Sequence, residues 1–198
     1  LYLDVIAREI ESVREALPGP LRASQLHWGG GTPTHLTPAQ VKRLFRMLTQ
    51  AFPLSPHAEV SIEVDPRVTG EAHMDALAEC GFNRISLGVQ DTDPKVQEAI
   101  HRIQPASQTA ALVAQARARG FASVNFDLIY GLPYQTEASF ARTLDEVLQQ
   151  RPDRIALYSY AHVTWVAKQQ RGFERKDLPD PPTKLRIMVS AIRRFLAA

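Results

Sequence analysis

Short apolar runs of strand character alternate with helix-patterned stretches along the chain, and that order limits the fold more tightly than any composition does. An amphipathic helix is predicted over 1–17, with Tyr2, Val5, Ile6, Ile10, Val13 and Leu17 on or near one face and Pro18-Gly19-Pro20 ending it. Strands are predicted at 24–28, 59–64, 83–89, 122–129 and 154–160. Helices fall between and after them at 37–52, 71–80, from Asp93-Pro94, at 108–119 with Gly120 behind it, at 137–150 and at 183–196. Thr37 is the expected N-cap of its helix and Pro38 the first helical residue, while a polar, proline-rich connection covers 168–182. A helix followed by five strand–helix units implies a parallel α/β sheet with crossover helices, either open and doubly wound or closing into a barrel. The 198 residues, 44% of them hydrophobic, suffice for one sizeable core, so one domain over 1–198 is expected.

Parallel α/β sheets bind ligands at the carboxyl ends of their strands. The five predicted ends all carry polar or glycine residues: Trp28 to Thr32, Glu63 to Arg67, Gly88 to Asp91, Asp127 to Pro133 and Tyr158 to His162. Five such ends on one rim read as a site. Gly29, Gly30 and Gly31 remove every side chain after the first strand, which suits a positive φ or a ligand held by main-chain donors. A tight strand-to-helix connection remains the alternative. Glu63 and Asp127 can accept hydrogen bonds from a ligand, cap a helix or pair with an arginine. Arg102 suits a bidentate carboxylate or a solvated helix end, and Arg67 suits a substrate carboxylate or a surface ion pair with Asp65 in a turn. His27 and His162 have no clustered third ligand and are expected to be hydrogen-bonded structural residues, so no metal site is assigned. Trp28, Phe82, Phe126 and Tyr158 are expected in strand packing, and Cys80 as a buried apolar filler.

The motifs HWGGGTPT at 27–34, SIEVDPR at 61–67, GFNRISLGVQD at 81–91, RIQP at 102–105, NFDLIYGLPYQT at 125–136 and PDRIALYSYAH at 152–162 together resemble the radical S-adenosylmethionine (SAM) enzymes. Within that superfamily the wording resembles the oxygen-independent coproporphyrinogen III oxidases. The resemblance implies a partial (β/α)6 TIM-like barrel, here with about five parallel strands, holding a 4Fe-4S cluster and SAM, with a second SAM beside the first. It implies that a 5′-deoxyadenosyl radical takes a hydrogen from a propionate of coproporphyrinogen III. Loss of carbon dioxide and one electron then leaves a vinyl group, and two such steps yield protoporphyrinogen IX in haem biosynthesis. It implies SAM contacts by Gly30, Gly31 and Thr32 through the backbone, by Glu63, Gln90, Arg102 and Asp127 through side chains, and by Ala161 at the adenosyl part. No catalytic residue follows from it. A haem chaperone of the same superfamily, binding haem without decarboxylation, is the alternative. A generic parallel α/β fold with a phosphate on its glycine loop ranks last, because no lysine follows Gly31.

The chain departs from the family where the cluster should be held. Radical SAM enzymes use Cys-x3-Cys-x2-Cys, and this sequence has one cysteine, Cys80, so three thiolates cannot come from it. The expectation is an internal fragment lacking the first strand with its cluster loop and the C-terminal extension, inactive by itself. Thr164-Trp165 stands where a proline is usual, and His101 where asparagine is common. With 23 basic against 21 acidic residues the formal charge is +2, which argues against nucleic-acid or acidic-membrane partners. No apolar run approaches the roughly 18 residues of a membrane span, and no signal-peptide layout opens the chain. The expected protein is soluble and cytoplasmic, a monomer at full length, with coproporphyrinogen III and an electron donor to the cluster as partners.

Overall fold

A computed structural model describes residues 1–19, 21–163 and 172–198. Pro20, placed in the helix-ending segment, and Thr164-Trp165 lie outside the described residues, as does 168–171 of the expected connection. The elements run α1 (Tyr2–Ala16), β1 (Ala23–Trp28), a 3-10 turn (Pro33–His35), α2 (Pro38–Ala51), β2 (Leu54–Val64), α3 (Glu71–Glu79), β3 (Arg84–Gln90) and α4 (Pro94–Ala99). They continue with α5 (Ala106–Ala118), β4 (Ser123–Tyr130), α6 (Glu137–Gln149), β5 (Arg154–Ser159), a second 3-10 turn (Arg175–Asp177) and α7 (Pro181–Ala197). The strand order is β1-β2-β3-β4-β5. Both β1 with β2 and β4 with β5 pair parallel, and each strand is reached through a helix, as parallel neighbours require.

Contacts divide the chain into two compact units, Leu1–Ser86 with Ala114–Val124, and Leu87–Val113 with Asn125–Ala198. In the first, alternate residues of β2 are buried, Ala58, Val60, Ile62 and Val64, and share the core with Met74 and Leu77 of α3. Trp28 meets Phe82 edge-on with ring centres 5.0 Å apart, and Phe45 of α2 lies 5.5 Å from the same ring. In the second, Leu87 and Val89 of β3 and Phe126 and Leu128 of β4 are buried, as are Phe140 and Leu144 of α6 and Ile187 of α7. The other residues of the same strands, Ser61 and Glu63 in β2, Gly88 and Gln90 in β3, Asn125 and Asp127 in β4, are only half-buried. Strands covered on both faces would be apolar throughout; these reserve one face for polar groups.

Local signals set the helix starts. Thr37 accepts from the backbone of Gln40 while the Gln40 amide oxygen accepts from the backbone of Thr37, a reciprocal cap completed by Pro38 in the first turn. Asp93 caps α4 ahead of Pro94. Helix α7 starts two residues before its expected position, because Asp180 accepts from Thr183 N at 2.8 Å and both prolines occupy the first turn, where a missing N–H costs nothing. Strand β2 starts five residues before its expected position. Ser55, Pro56 and His57 break its alternation, and Leu54 is drawn in by pairing with Ala23 across a register shift in β1.

Two packing expectations are corrected. Tyr158 is 56% exposed, since on β5 it lies on the face away from Leu157. Cys80 is half-buried at the C-cap of α3 and not a core residue, although desolvation there still pushes its thiol pKa up. Among the described residues no helix is long and apolar enough to cross a membrane.

Candidate cofactor site

The three glycines after β1 answer three different demands. A Cβ on Gly29 would lie 2.8 Å from both Glu63 Oε1 and His27 Nε2, so this position stays bare to let two side chains through. Gly30 has φ +101°, which an L side chain resists, and Gly31 faces open space. All three are exposed, leaving main-chain groups accessible. Thr32 is half-buried and accepts through its backbone oxygen from His35 N at 3.0 Å, closing the 3-10 turn. That turn is fastened below by the buried Thr34 hydroxyl, which accepts from Thr69 at 2.8 Å.

Glu63, at the end of β2, lies 3.3 Å from His27 Nε2, and His27 Nδ1 is 2.8 Å from the Ser61 hydroxyl. The register puts His27 opposite Ser61, so parallel pairing itself assembles this group. His27 is thereby the hydrogen-bonded structural histidine expected. Glu63 remains 43% exposed, with a carboxylate open to a further donor. The helices after β2 and β4 are capped by Gly70 and Thr136, so neither Glu63 nor Asp127 serves as their cap. Arg67 forms the ion-pair turn: it chelates the Asp65 carboxylate through Nε and Nη2, and that contact raises its pKa.

The second unit holds Gln90, Arg102, Asp127 and Ala161. Gln90 adopts φ +65°, rare for a residue with a side chain, and its buried amide oxygen has no hydrogen-bond partner. Arg102 Nη2 donates to Gly88 O at 2.9 Å, so Arg102 is folded against β3 and is not a solvated helix end. A Cβ on Gly88 would lie 2.8 Å from Gln90 Nε2 and 3.0 Å from Arg102 Nη2; a lone glycine inside a strand was the signal for this close approach. Asp127 Oδ1 accepts from Asn125 Nδ2 at 2.9 Å.

Ala161 is exposed just beyond β5. Tyr160 before it donates its N–H to Tyr130 O at 2.9 Å and accepts from Lys184 Nζ at 2.7 Å through its carbonyl. Partial burial lowers the Lys184 pKa. The His162 ring stacks on Phe173 at 5.2 Å and on Tyr160 at 6.5 Å. His101 has φ +54°, a conformation that histidine tolerates better than most residues with a side chain. Among the described residues no group of three His, Cys, Asp or Glu could hold a metal ion.

Comparison with known proteins turns these features into a family. The chain is 47% identical to the oxygen-independent coproporphyrinogen III oxidase of Paracoccus denitrificans over 197 residues, 99% of this chain and 44% of that protein. It is 46% identical to the enzyme of the same name from Escherichia coli over 191 residues, 96% of this chain and 42% of that one. The chain therefore spans less than half the length of these curated relatives. The solved structure of the E. coli coproporphyrinogen III oxidase, described as a radical SAM enzyme, matches 99% of this chain and 45% of its own with a TM-score of 0.94 at 45% identity. The expected α/β fold class of radical SAM type stands on that match. The archaeal Elp3 of Methanocaldococcus infernus, 16% identical with a TM-score of 0.70, shares the fold alone. Because the family model of the radical SAM superfamily runs through residues 2–147, the chain belongs to that superfamily.

Proposed function

We propose that this chain is the SAM-holding part of an oxygen-independent coproporphyrinogen III oxidase. The observation that carries the cofactor half is the Gln90 amide oxygen, buried without a partner in a strained turn where a ligand N–H or O–H would complete it. The relatives' names carry the substrate half. In the first unit, the exposed main chain at Gly30, Gly31 and Thr32 and the open carboxylate of Glu63 suit the polar amino-acid part of SAM. Taken by itself, the second unit offers an acceptor at Gln90, a guanidinium at Arg102, a carboxylate at Asp127 and exposed backbone at Ala161, groups that suit the ribose hydroxyls, the carboxylate and the adenosyl part of SAM. When bound and reduced, SAM supplies the hydrogen-abstracting radical of this superfamily; the residues here bind and orient it.

The cluster is a different matter. A three-thiolate set cannot come from a sequence with one cysteine, so these residues do not fit a 4Fe-4S cluster by themselves. The 198-residue chain is expected to bind SAM in equilibrium dialysis and to yield no 4Fe-4S spectrum with iron and sulfide. Gln90→Leu and Glu63→Gln should each weaken SAM binding; unchanged affinity in both would overturn the cofactor half.

The substrate half is tested by a chimaera in which this chain replaces the matching segment of the E. coli enzyme. Anaerobic conversion of coproporphyrinogen III to protoporphyrinogen IX, with two carbon dioxide molecules released, supports the reading. A folded, cluster-loaded chimaera that binds haem and does not turn over would favour the haem-chaperone alternative.

A further inference from the structure

Strand β3 ends in a γ-turn of the rare hand. Asp91 N donates to Val89 O at 2.8 Å across Gln90, which is held at φ +65°. A non-glycine residue there is strained, and such strain persists only where the surroundings over-determine it.

The surroundings converge on Asp91. Its side chain is fully buried, and among the described residues its partners are neutral donors, with no arginine or lysine side chain within hydrogen-bond or ion-pair distance. Oδ1 accepts from Thr143 Oγ1 and from Asp93 N, both at 2.8 Å, and Oδ2 accepts from Gln135 Nε2 at 2.6 Å. The Asp91 carbonyl accepts from Gln97 Nε2 at 2.9 Å. Gln135, 3% exposed, relays the clamp: its Oε1 accepts from Gly131 N at 2.6 Å and its Nε2 also reaches Ile129 O at 3.0 Å. Thr143, on α6, is fully buried. A buried carboxylate satisfied only by neutral donors is costly, and burial pushes its pKa up. Its polarity matters because the donors on both sides leave it no role but acceptor.

We propose that Asp91 is a positioning residue for the cofactor site, its carboxylate clamped by Thr143 and Gln135 so that the γ-turn presents the Gln90 amide oxygen to SAM. This rests on the SAM reading of Gln90. Asparagine at 91 would turn a donor toward Gln135 Nε2. Flipping the Gln135 amide only moves the donor–donor conflict to Gly131 N, and flipping the asparagine amide moves it to Asp93 N, so no arrangement satisfies all four groups. Glutamate at 135 accepts from both sides and relieves the conflict, but it sets a carboxylate oxygen against Ile129 O where Nε2 donated.

The test is equilibrium dialysis of radiolabelled SAM against the 198-residue chain, with folding followed by circular dichroism. Gln90→Ala and Asp91→Asn are each expected to weaken binding roughly tenfold, the scale of one hydrogen bond to a charged or strongly polar group. Asp91→Asn should add less than about twofold in a Gln90→Ala background, a non-additivity that a purely structural role would not produce. Asp91→Asn/Gln135→Glu should recover part of the loss. Thr143→Val, which keeps volume and removes one donor, should cost about threefold and only when Gln90 is present, and serves if Asp91→Asn fails to fold. Additive effects, or a folded Asp91→Asn with unchanged affinity beside a weakened Gln90→Ala, overturn the positioning role and leave the SAM reading intact. An unaffected Gln90→Ala overturns the SAM reading of Gln90 and, with it, this inference.

Discussion

Replacing Gly131 by alanine separates backbone strain from side-chain displacement. Gly131 follows β4 at φ +85°, where an L side chain costs about 1 kcal/mol. Its new Cβ would stand 2.5 Å from Lys184 Cε and 2.9 Å from Cδ, far inside contact distance. The lysine can swing aside, so the steric cost reduces to what it gives up: its 2.7 Å bond to Tyr160 O and its position 5.6 Å over the Tyr130 ring. A half-exposed charged donor is worth about 1.5 kcal/mol, the low end for such bonds, and the ring about 0.5 kcal/mol. Gly131→Ala should therefore cost about 3 kcal/mol. Gly120 is the control, with φ +81° and nothing within 4 Å of an added Cβ, so Gly120→Ala should cost only the strain, about 1 kcal/mol. Urea unfolding followed by circular dichroism measures both. In a Lys184→Ala background the cost of Gly131→Ala should fall to that of Gly120→Ala. Equal costs for the two glycines in the unaltered chain, or an undiminished cost without Lys184, would refute the reasoning.

Three further outcomes are expected. Thr37→Ala removes the acceptor for Gln40 N and should cost about 1 kcal/mol in urea unfolding, whereas Thr37→Ser should leave the midpoint nearly unchanged. The bonds from Thr183 hold the Asp180 carboxyl below its ordinary 3.8, so its stabilisation is complete above pH 3.8 and is lost as pH falls through the lowered value; Asp180→Ala should lower the urea midpoint at neutral pH and make little difference in strong acid. Desolvation raises the Cys80 thiol pKa, so iodoacetamide should alkylate the native chain more slowly than free cysteine at about pH 8, and urea should abolish the difference.

Much of the chain was legible because its determinants are local. Period-two burial in β2, β3 and β4 follows directly from the alternation of their residues, and Thr37-Pro38 and Asp93-Pro94 announce their helices within four residues. The superfamily was legible in the motifs, which are strings of neighbours. The N-terminal half of β2 was not, because Pro56 and His57 look like a loop until Ala23 pairs with Leu54. Tyr158 has the composition of a core strand residue, and only its register on β5 puts it at the surface.

Within the candidate site the same division holds. The sequence by itself determined which residue types stand at the strand ends, and that the glycine run leaves its main chain without side chains to cover it. Only the tertiary structure decided that Gly29 is bare because Glu63 and His27 pass it, that Gly30 needs its positive φ, and that Gly31 faces open space. It also decided that Asp91, which the sequence marks only as a polar residue at the end of its strand, is a fully buried acceptor for Thr143 and Gln135. Periodicity and capping are read from residues a few positions apart. Burial, close approach and hydrogen-bond satisfaction depend on distant partners that only folding brings within reach, as Asp91 depends on Thr143, 52 positions away.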